Sequence, residues 1–423
     1  MNRNVLLIGI VAAAASTSAA TAQQPVRRLT LDQAMQLFGT HSLNLRVSRA
    51  NASEIVGLAH QSTTFPNPTL TGTHELLSGG GTDYTESYLN LSQRFEWPGV
   101  RSARGSAAES RIRAATAQLA ADSAHLAFEL KRAYVDALRA ELELEVIIRV
   151  TEVFRTAEGS AVRRLEEQDI SRYAFRRIQV ERARYEADLA EATIEVAAAR
   201  RALALLALPQ EPAVSVAPAD WPATERPSID FEQMIEQVMD KRSELVAANA
   251  ELGAARSFAT TARRERIPDV TATGGYKRQT GALRGAFLGL SLPLPLWDRR
   301  SGAIDAATAR VEAAQAQSEL VRRRIANDIQ QAADRYRALT QQAERVAEHE
   351  VGEHADLLEI ATIAYDNGEM DLIELLDAAA AQQGAAMNAI RLRSDLWISY
   401  YDLERAAGGW DAAGSDEQRE NGR

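Results

Sequence analysis

The two halves of this chain repeat one another at an offset near 200 residues, so whatever it folds into is built twice from the same succession of elements. Leu31-Asp32-Gln33 corresponds to Phe231-Glu232-Gln233, and Asn67-Pro68-Thr69-Leu70 to Ile267-Pro268-Asp269-Val270. Arg101-Ser102 matches Arg300-Ser301, and Asp169-Ile170-Ser171 matches Glu369-Met370-Asp371. Four landmarks held within one residue of the same offset are beyond coincidence. Between the repeats, residues 209–227 carry five prolines in 19 positions, a poor helix that reads as a connector. The expected organisation is a first repeat over 23–208, the connector at 209–227, a second repeat over 228–407 and a disordered polar tail at 408–423.

Each repeat opens with a helix of about 35 residues, near 31–64 and 231–266, with Thr30…Gln33 and Asp230…Gln233 as capping boxes. Pro68 or Pro268 stops it, and two strand-like runs follow. Long helices then occupy about 102–208 and 301–407: residues 106–158, 160–208 and 303–351 contain neither Gly nor Pro and are rich in Ala, Leu, Glu, Arg and Gln. A helix of ~50 residues is ~75 Å long, far more than a globular domain needs. Ala107, Ala114, Leu119, Leu126, Leu130, Ala133, Ala137 and Leu144 recur at mixed three- and four-residue steps, which favours antiparallel coiled-coil-like packing but also suits an ordinary bundle.

The strands separate those readings. In 84–97, Leu89, Leu91, Phe95 and Trp97 share one parity, against Glu86, Tyr88, Asn90, Ser92, Arg94 and Glu96. In 284–295, Ala286, Leu288, Leu290, Leu292 and Leu294 share a parity likewise. One aliphatic and one polar face suit a barrel between lipid and water. The partner strands, about 69–77 and 269–278, are weaker, with Leu70 and Leu76 opposite Thr71, Thr73 and Glu75 in the first. Tyr84, Trp97, Tyr276 and Trp297 lie near strand ends, where membrane interfaces favour aromatics; corner anchors are the alternative. An open sheet edge cannot face lipid, so a chain with four strands must share a barrel with copies of itself. Three copies give twelve strands; two give eight, a barrel filled by its own side chains.

Composition fixes the setting. Arg3, the apolar run Val5–Ala15 and Ala20-Thr21-Ala22 form a secretory signal over 1–22, with cleavage near Gln23. The absence of cysteine removes thiol chemistry and disulfides. The 58 acidic against 48 basic residues argue against nucleic acid as a partner. Past the signal no apolar run of ~18 residues offers a membrane helix. The chain has no phosphate-binding glycine loop, nucleophile elbow or His-Glu-x-x-His, so no enzyme constellation and no cofactor is expected. His349 and His354 lie about 140° apart on a helix and cannot chelate together. Glu350 with His354 could, but the six scattered histidines form no ligand cluster, and no metal site is expected.

With these features in place the chain resembles the TolC-like outer-membrane efflux family over about 26–407. Residues 65–70 (FPNPTL), 96–101 (EWPGVR) and 290–299 (LSLPLPLWDR) look like its helix–strand junctions, and 364–378 (AYDNGEMDLIELLDA) is similar to its periplasmic tip. The Pro98-Gly99-Val100-Arg101 form leans toward the CzcC-like, heavy-metal branch. The resemblance implies a mainly α protein with a transmembrane β-barrel contribution. Three chains would form a 12-stranded barrel continuing into an α-helical periplasmic tunnel, localised to the Gram-negative outer membrane. It implies the passive exit duct of a tripartite efflux system, with a periplasmic adaptor and an inner-membrane pump of the RND type. A soluble periplasmic coiled-coil adaptor or scaffold would share the export signal and helices but would not need the alternating strands.

By match to the tip motif, Glu374 and Asp377, one helical face apart by three residues, fall where the family's aperture carboxylates sit. A solvated helix face is the alternative reading. Tyr365 matches a gate position, but Met370 stands where an arginine partner is expected, so a Tyr–Arg latch is not anticipated. Asp371 reads as a helix cap after the Gly368 turn. The first-repeat tip departs from the motif: Gln168 replaces the turn glycine and Ala174 an acidic residue. Adaptor docking would use both tips, around Ile170, Ser171, Gly368, Met370 and Leu372, unless these residues merely pack the turns.

Overall fold

A computed structural model describes residues 26–209, 215–221, 241–349, 357–406 and 408. The export segment, the Asp230…Gln233 box, much of the 209–227 connector, the Glu350–His354 pair and the tail past 408 lie outside the described residues.

Thr30 and Gln33 close a reciprocal capping box, Gln33 N donating to Thr30 Oγ1 at 3.3 Å and Thr30 N to Gln33 Oε1 at 3.1 Å. It starts α1, Leu31–His41. The single helix expected over 31–64 is two. Ser42, at φ −58° and ψ 121°, leaves the helical region and accepts from Leu45 N at 3.3 Å, starting α2, Leu43–Thr63. A serine side chain here offers the backbone an alternative partner, and the chain bends where it does.

Beyond Pro66 and Pro68 come β2, Thr69–Gly79, and β3, Thr82–Phe95, joined at Gly80 and Gly81, whose φ values of 62° and 87° only glycine adopts without cost. Pro98 opens α3, Pro98–Glu166, a 69-residue helix that runs straight through Gly105 and Gly159. At 1.5 Å per residue it carries the chain roughly 100 Å from the sheet. There α4, Arg172–Ala207, turns back along it.

The connector holds an element that proline counting hides. β4, Ser215–Pro218, pairs in parallel with β1, Val26–Leu29, from Val26↔Ser215 to Leu29↔Pro218. The second repeat then runs as α5, Ser243–Arg264; β5, Val270–Gln279; β6, Arg284–Ser291; α6, Ser301–His349; α7, Leu357–Asp366; and α8, Leu372–Ala406.

The four longer strands form one antiparallel sheet in the order β2-β3-β5-β6, so the repeats join through β3 and β5. Residues paired across antiparallel strands share a face. The pairs Leu70↔Leu91, Leu89↔Tyr276, Gly274↔Leu288 and Ala272↔Leu290 put the aliphatic residues on one face. Thr73↔Tyr88↔Lys277 and Ser92↔Thr273 put the polar ones on the other. The aliphatic face is bare, with Leu288 92% exposed. Among the described residues the outer edges of β2 and β6 have no partner strand.

The apolar core is distributed along the helices. Leu29, Phe38, Leu130, Tyr134 and Leu203 pack midway, where the β1–β4 pair is tied on by the Tyr134 hydroxyl, 2.8 Å from Asp220 O and 3.1 Å from Leu29 O. Leu245, Ile329 and Leu403 form a second cluster from the other repeat. At the far end Ala157, Ala161, Ile178, Ala361, Tyr365 and Leu375 join the two helical hairpins, the alanines letting backbones come close.

Candidate functional site

The far end holds two tips of one design. At the α3–α4 turn Gln168 N donates to Leu165 O (3.2 Å) and Asp169 N to Arg164 O (2.8 Å). At the α7–α8 turn Gly368 N donates to Tyr365 O (3.1 Å) and Glu369 N to Ala364 O (2.8 Å). These bonds satisfy the last helical carbonyls in the manner of a glycine-type C-cap. The next helix is capped from the turn: Ser171 Oγ accepts from Ala174 N at 3.1 Å, and Asp371 Oδ1 from Glu374 N at 2.9 Å. Glu374 Oε2 in turn accepts from Asp371 N at 2.9 Å, so Glu374 is engaged in a capping box of its own.

Leu372 and Leu375 point into the core of α8, while Asp371, Glu374 and Asp377 lie exposed on the other side. Ile170 and Met370 pack, partly buried, against the cluster that joins the hairpins; Ser171 and Gly368 are at the surface.

Tyr365 is 2% exposed, and its arginine partner comes from the first repeat, not from position 370. The Arg164 guanidinium sits 5.2 Å from the Tyr365 ring centroid. Its Nη1 donates to Tyr365 O at 3.2 Å, and its Nε pairs with Asp169 at 2.7 Å. A Tyr–Arg contact therefore exists, built across the hairpins. Beside it Ser160 Oγ donates to Asp366 Oδ1 at 2.6 Å and accepts from Arg163 Nη2 at 3.1 Å. Burial pushes the Tyr365 phenol up, against the pull of Arg164, so it stays a neutral hydroxyl. Sequence reading missed Arg164; its only local signal is a basic residue in the last turn of a helix.

Tip charge is unequal. Residues 357–390 carry six carboxylates and no Lys or Arg, whereas the first tip brings Arg163, Arg164, Arg172, Arg176 and Arg177 together.

At the opposite end Trp97 Nε1 donates to Pro268 O at 2.8 Å, stapling the two repeats at the foot of the sheet. Trp297 is 93% exposed just beyond β6. Tyr276 lies on the aliphatic face, across from Leu89 and Ala286. Tyr84 does not join it: paired with Leu77, it has the parity of Glu86 and Tyr88 and belongs to the polar face. Below the strands Arg104 bridges Glu96 and Glu265 (3.1 Å to the latter), and Glu265 also pairs with Arg300. Burial works against the Arg104 charge, but the two carboxylates outweigh it and raise its pKa. Among the described residues no group of three or more His, Asp or Glu could hold a metal ion, and no helix is long and apolar enough to cross a membrane.

A lipid-faced sheet with two open edges, mounted on long helices of which α3 alone runs roughly 100 Å, defines a subunit of an outer-membrane channel. Residues 234–409 match the family described as Outer membrane efflux protein. The chain is 25% identical over 351 residues to the cobalt-zinc-cadmium resistance protein CzcC of Cupriavidus metallidurans, covering 83% of each. It is 26% identical over 357 residues to the outer membrane protein TolC of Vibrio cholerae, covering 79% of this chain and 77% of that one. Its fold superposes on the CmeC outer membrane channel of Campylobacter jejuni with a TM-score of 0.76 at 14% identity, over 100% of this chain and 98% of that one. The family match lies in the second repeat, and over most of its length the chain is TolC-like, a channel protein of the outer membrane. This is a transport family, not an enzyme family, whose members are trimeric channels working with adaptors and inner-membrane pumps. The soluble-scaffold alternative falls.

Proposed function

We propose that three copies of this chain form one exit duct, the β6 edge of each copy pairing with the β2 edge of the next to close a 12-stranded barrel. The carrying observation is the sheet itself: its aliphatic face is bare and both edges are unpaired, a state that hydrocarbon does not tolerate. The helices continue the barrel as a periplasmic tunnel. Its tips, around Ile170, Ser171, Gly368, Met370 and Leu372, dock a periplasmic adaptor that couples the duct to an inner-membrane pump of the RND type.

Threefold repetition turns Asp377 and Glu374 into rings at the aperture, with Asp371 capping the helix that carries them and Tyr365 holding it to the first hairpin. The six carboxylates of 357–390, a stretch with no Lys or Arg of its own, favour cations there. Together with the likeness to CzcC, this supports heavy-metal cations as cargo. Trp97, Trp297 and Tyr276 anchor the barrel at the membrane interfaces.

The test is fractionation and mass. The chain should resist a salt wash of the outer membrane, require detergent, run as a trimer and conduct ions in planar bilayers. A salt-extractable monomer without conductance overturns the reading.

A further inference from the structure

Resting on the barrel reading, the polar face of the sheet lines the channel, and one place on it is built like a binding site. Glu86 is 8% exposed, although it stands on a strand face that meets solvent. It accepts from Gln279 Nε2 at 2.7 Å and pairs with Lys277 Nζ. The same ammonium lies 4.8 Å from the centroid of the Tyr88 ring. Phe287 meets Tyr88 edge-on, with centroids 6.5 Å apart and planes at 84°. The ring of Phe287 can cross β5 to reach it because residue 275 is glycine: a Cβ there would lie 2.7 Å from the Phe287 ring and 2.8 Å from Asn90 Cβ. Glu75 is directly across the ladder from Glu86, leaving two carboxylates to one lysine.

An ammonium held between a buried carboxylate and an aromatic face is the arrangement by which proteins recognise organic cations. Here the cation is tethered. We propose that Glu86 and Tyr88, braced by Gln279 and Phe287, form a station on the channel wall for organic ammonium ions, with Lys277 as its resident competitor. A passing ammonium exchanges with the lysine head, so occupancy stays weak enough for release, as conduction requires. The donor set, one aromatic face and few oxygens, suits an ammonium rather than a hard metal ion.

The test is block of potassium current through the purified trimer in planar bilayers by tetramethylammonium chloride added on the outer side. Lys277→Gln should lower the half-blocking concentration about tenfold, the worth of one desolvated cation–aromatic contact. Adding Tyr88→Leu to that variant should return it to the wild-type value. Arg94→Gln removes one positive charge from the same face outside the station and should leave half-block unchanged. Equal shifts from Lys277→Gln and Arg94→Gln, or a shift that survives Tyr88→Leu, overturn the station and leave only bulk charge. If Lys277→Gln does not assemble, Tyr88→Leu alone decides: it should raise the wild-type half-blocking concentration about threefold, and no change overturns the proposal. A wild-type trimer without potassium current overturns the channel reading itself.

Discussion

Gln168 and Gly368 lie 200 residues apart and hold the same left-handed turn conformation, at φ 63° and φ 77°, each closing a helical hairpin with the same pair of backbone bonds. Only glycine adopts that conformation freely; a side chain there costs about 1 kcal/mol or more. The first tip thus carries a penalty that the second avoids. Gln168→Gly should stabilise the detergent-solubilised protein by about 1 kcal/mol, and Gly368→Gln should destabilise it by a similar amount. Thermal unfolding checks both; a Gln168→Gly variant with an unchanged or lowered midpoint would show that the turn is not strained.

Arg164 engages both Asp169 of its own turn and Tyr365 of the other hairpin, through ring and carbonyl. Removing it cuts a charge-assisted bond and a cation–aromatic contact, together worth about 1–3 kcal/mol. Arg164→Ala should loosen the tips and raise the open probability of single channels about tenfold. Arg164→Lys keeps the charge but not the planar fork and should fall between. Identical gating in all three proteins would reduce Arg164 to a surface ion pair.

What could be read from the sequence was local or periodic. The parity of Leu89, Leu91, Leu288 and Leu290 gave the faces of the sheet, because a strand's side chains alternate whatever its partners are. The Thr30 box and the repeated tips were readable because caps are short-range chemistry. The β1–β4 pair was not, since four residues at 26–29 meet four at 215–218 and neither run is long enough to announce a strand. Arg164 on Tyr365 was hidden for the same reason: the contact joins two hairpins, and residue spacing does not encode which helices meet. Ser42 misled because a lone serine in a helical pattern is more often tolerated than obeyed.

Arg242 is 2% exposed and depends on Glu244, which receives its Nη2 at 2.8 Å and Nε at 3.0 Å, while Nη1 donates to Arg405 O at 2.8 Å. Burial alone would raise the Glu244 carboxyl, but the bonds and charge of Arg242 outweigh it and hold the group below its ordinary 4.5. A depressed carboxylate contributes stability above its unfolded value and loses it as pH falls through the lower folded one. Glu244→Gln should therefore cost about 2 kcal/mol at pH 7, an amount discounted for the partial exposure of Glu244. The gap to wild type should begin to narrow below pH 4.5 and close once the pH has fallen through the lower folded value. Unfolding midpoints of both proteins between neutral and acid pH measure it; a gap independent of pH would mean that packing, not charge, is lost.

Glu374 and Asp377 sit on one exposed side of α8, but they are not equivalent. The Glu374 carboxylate is tied to Asp371 N at 2.9 Å, whereas Asp377 makes no hydrogen bond or ion pair among the described residues. An anchored carboxylate serves the helix first, and a free one is available to the ring. Glu374→Ala should therefore act mainly on stability, by about 1 kcal/mol through the lost cap, with a small change in ion preference. Asp377→Asn should leave stability within about 0.5 kcal/mol and lower the preference for cations, because three charges leave the aperture together. Reversal potentials in asymmetric potassium chloride, read beside thermal unfolding, separate the two effects. If Glu374→Ala shifts the reversal potential more than Asp377→Asn does, the capping box does not hold in the assembled channel and both carboxylates face the aperture.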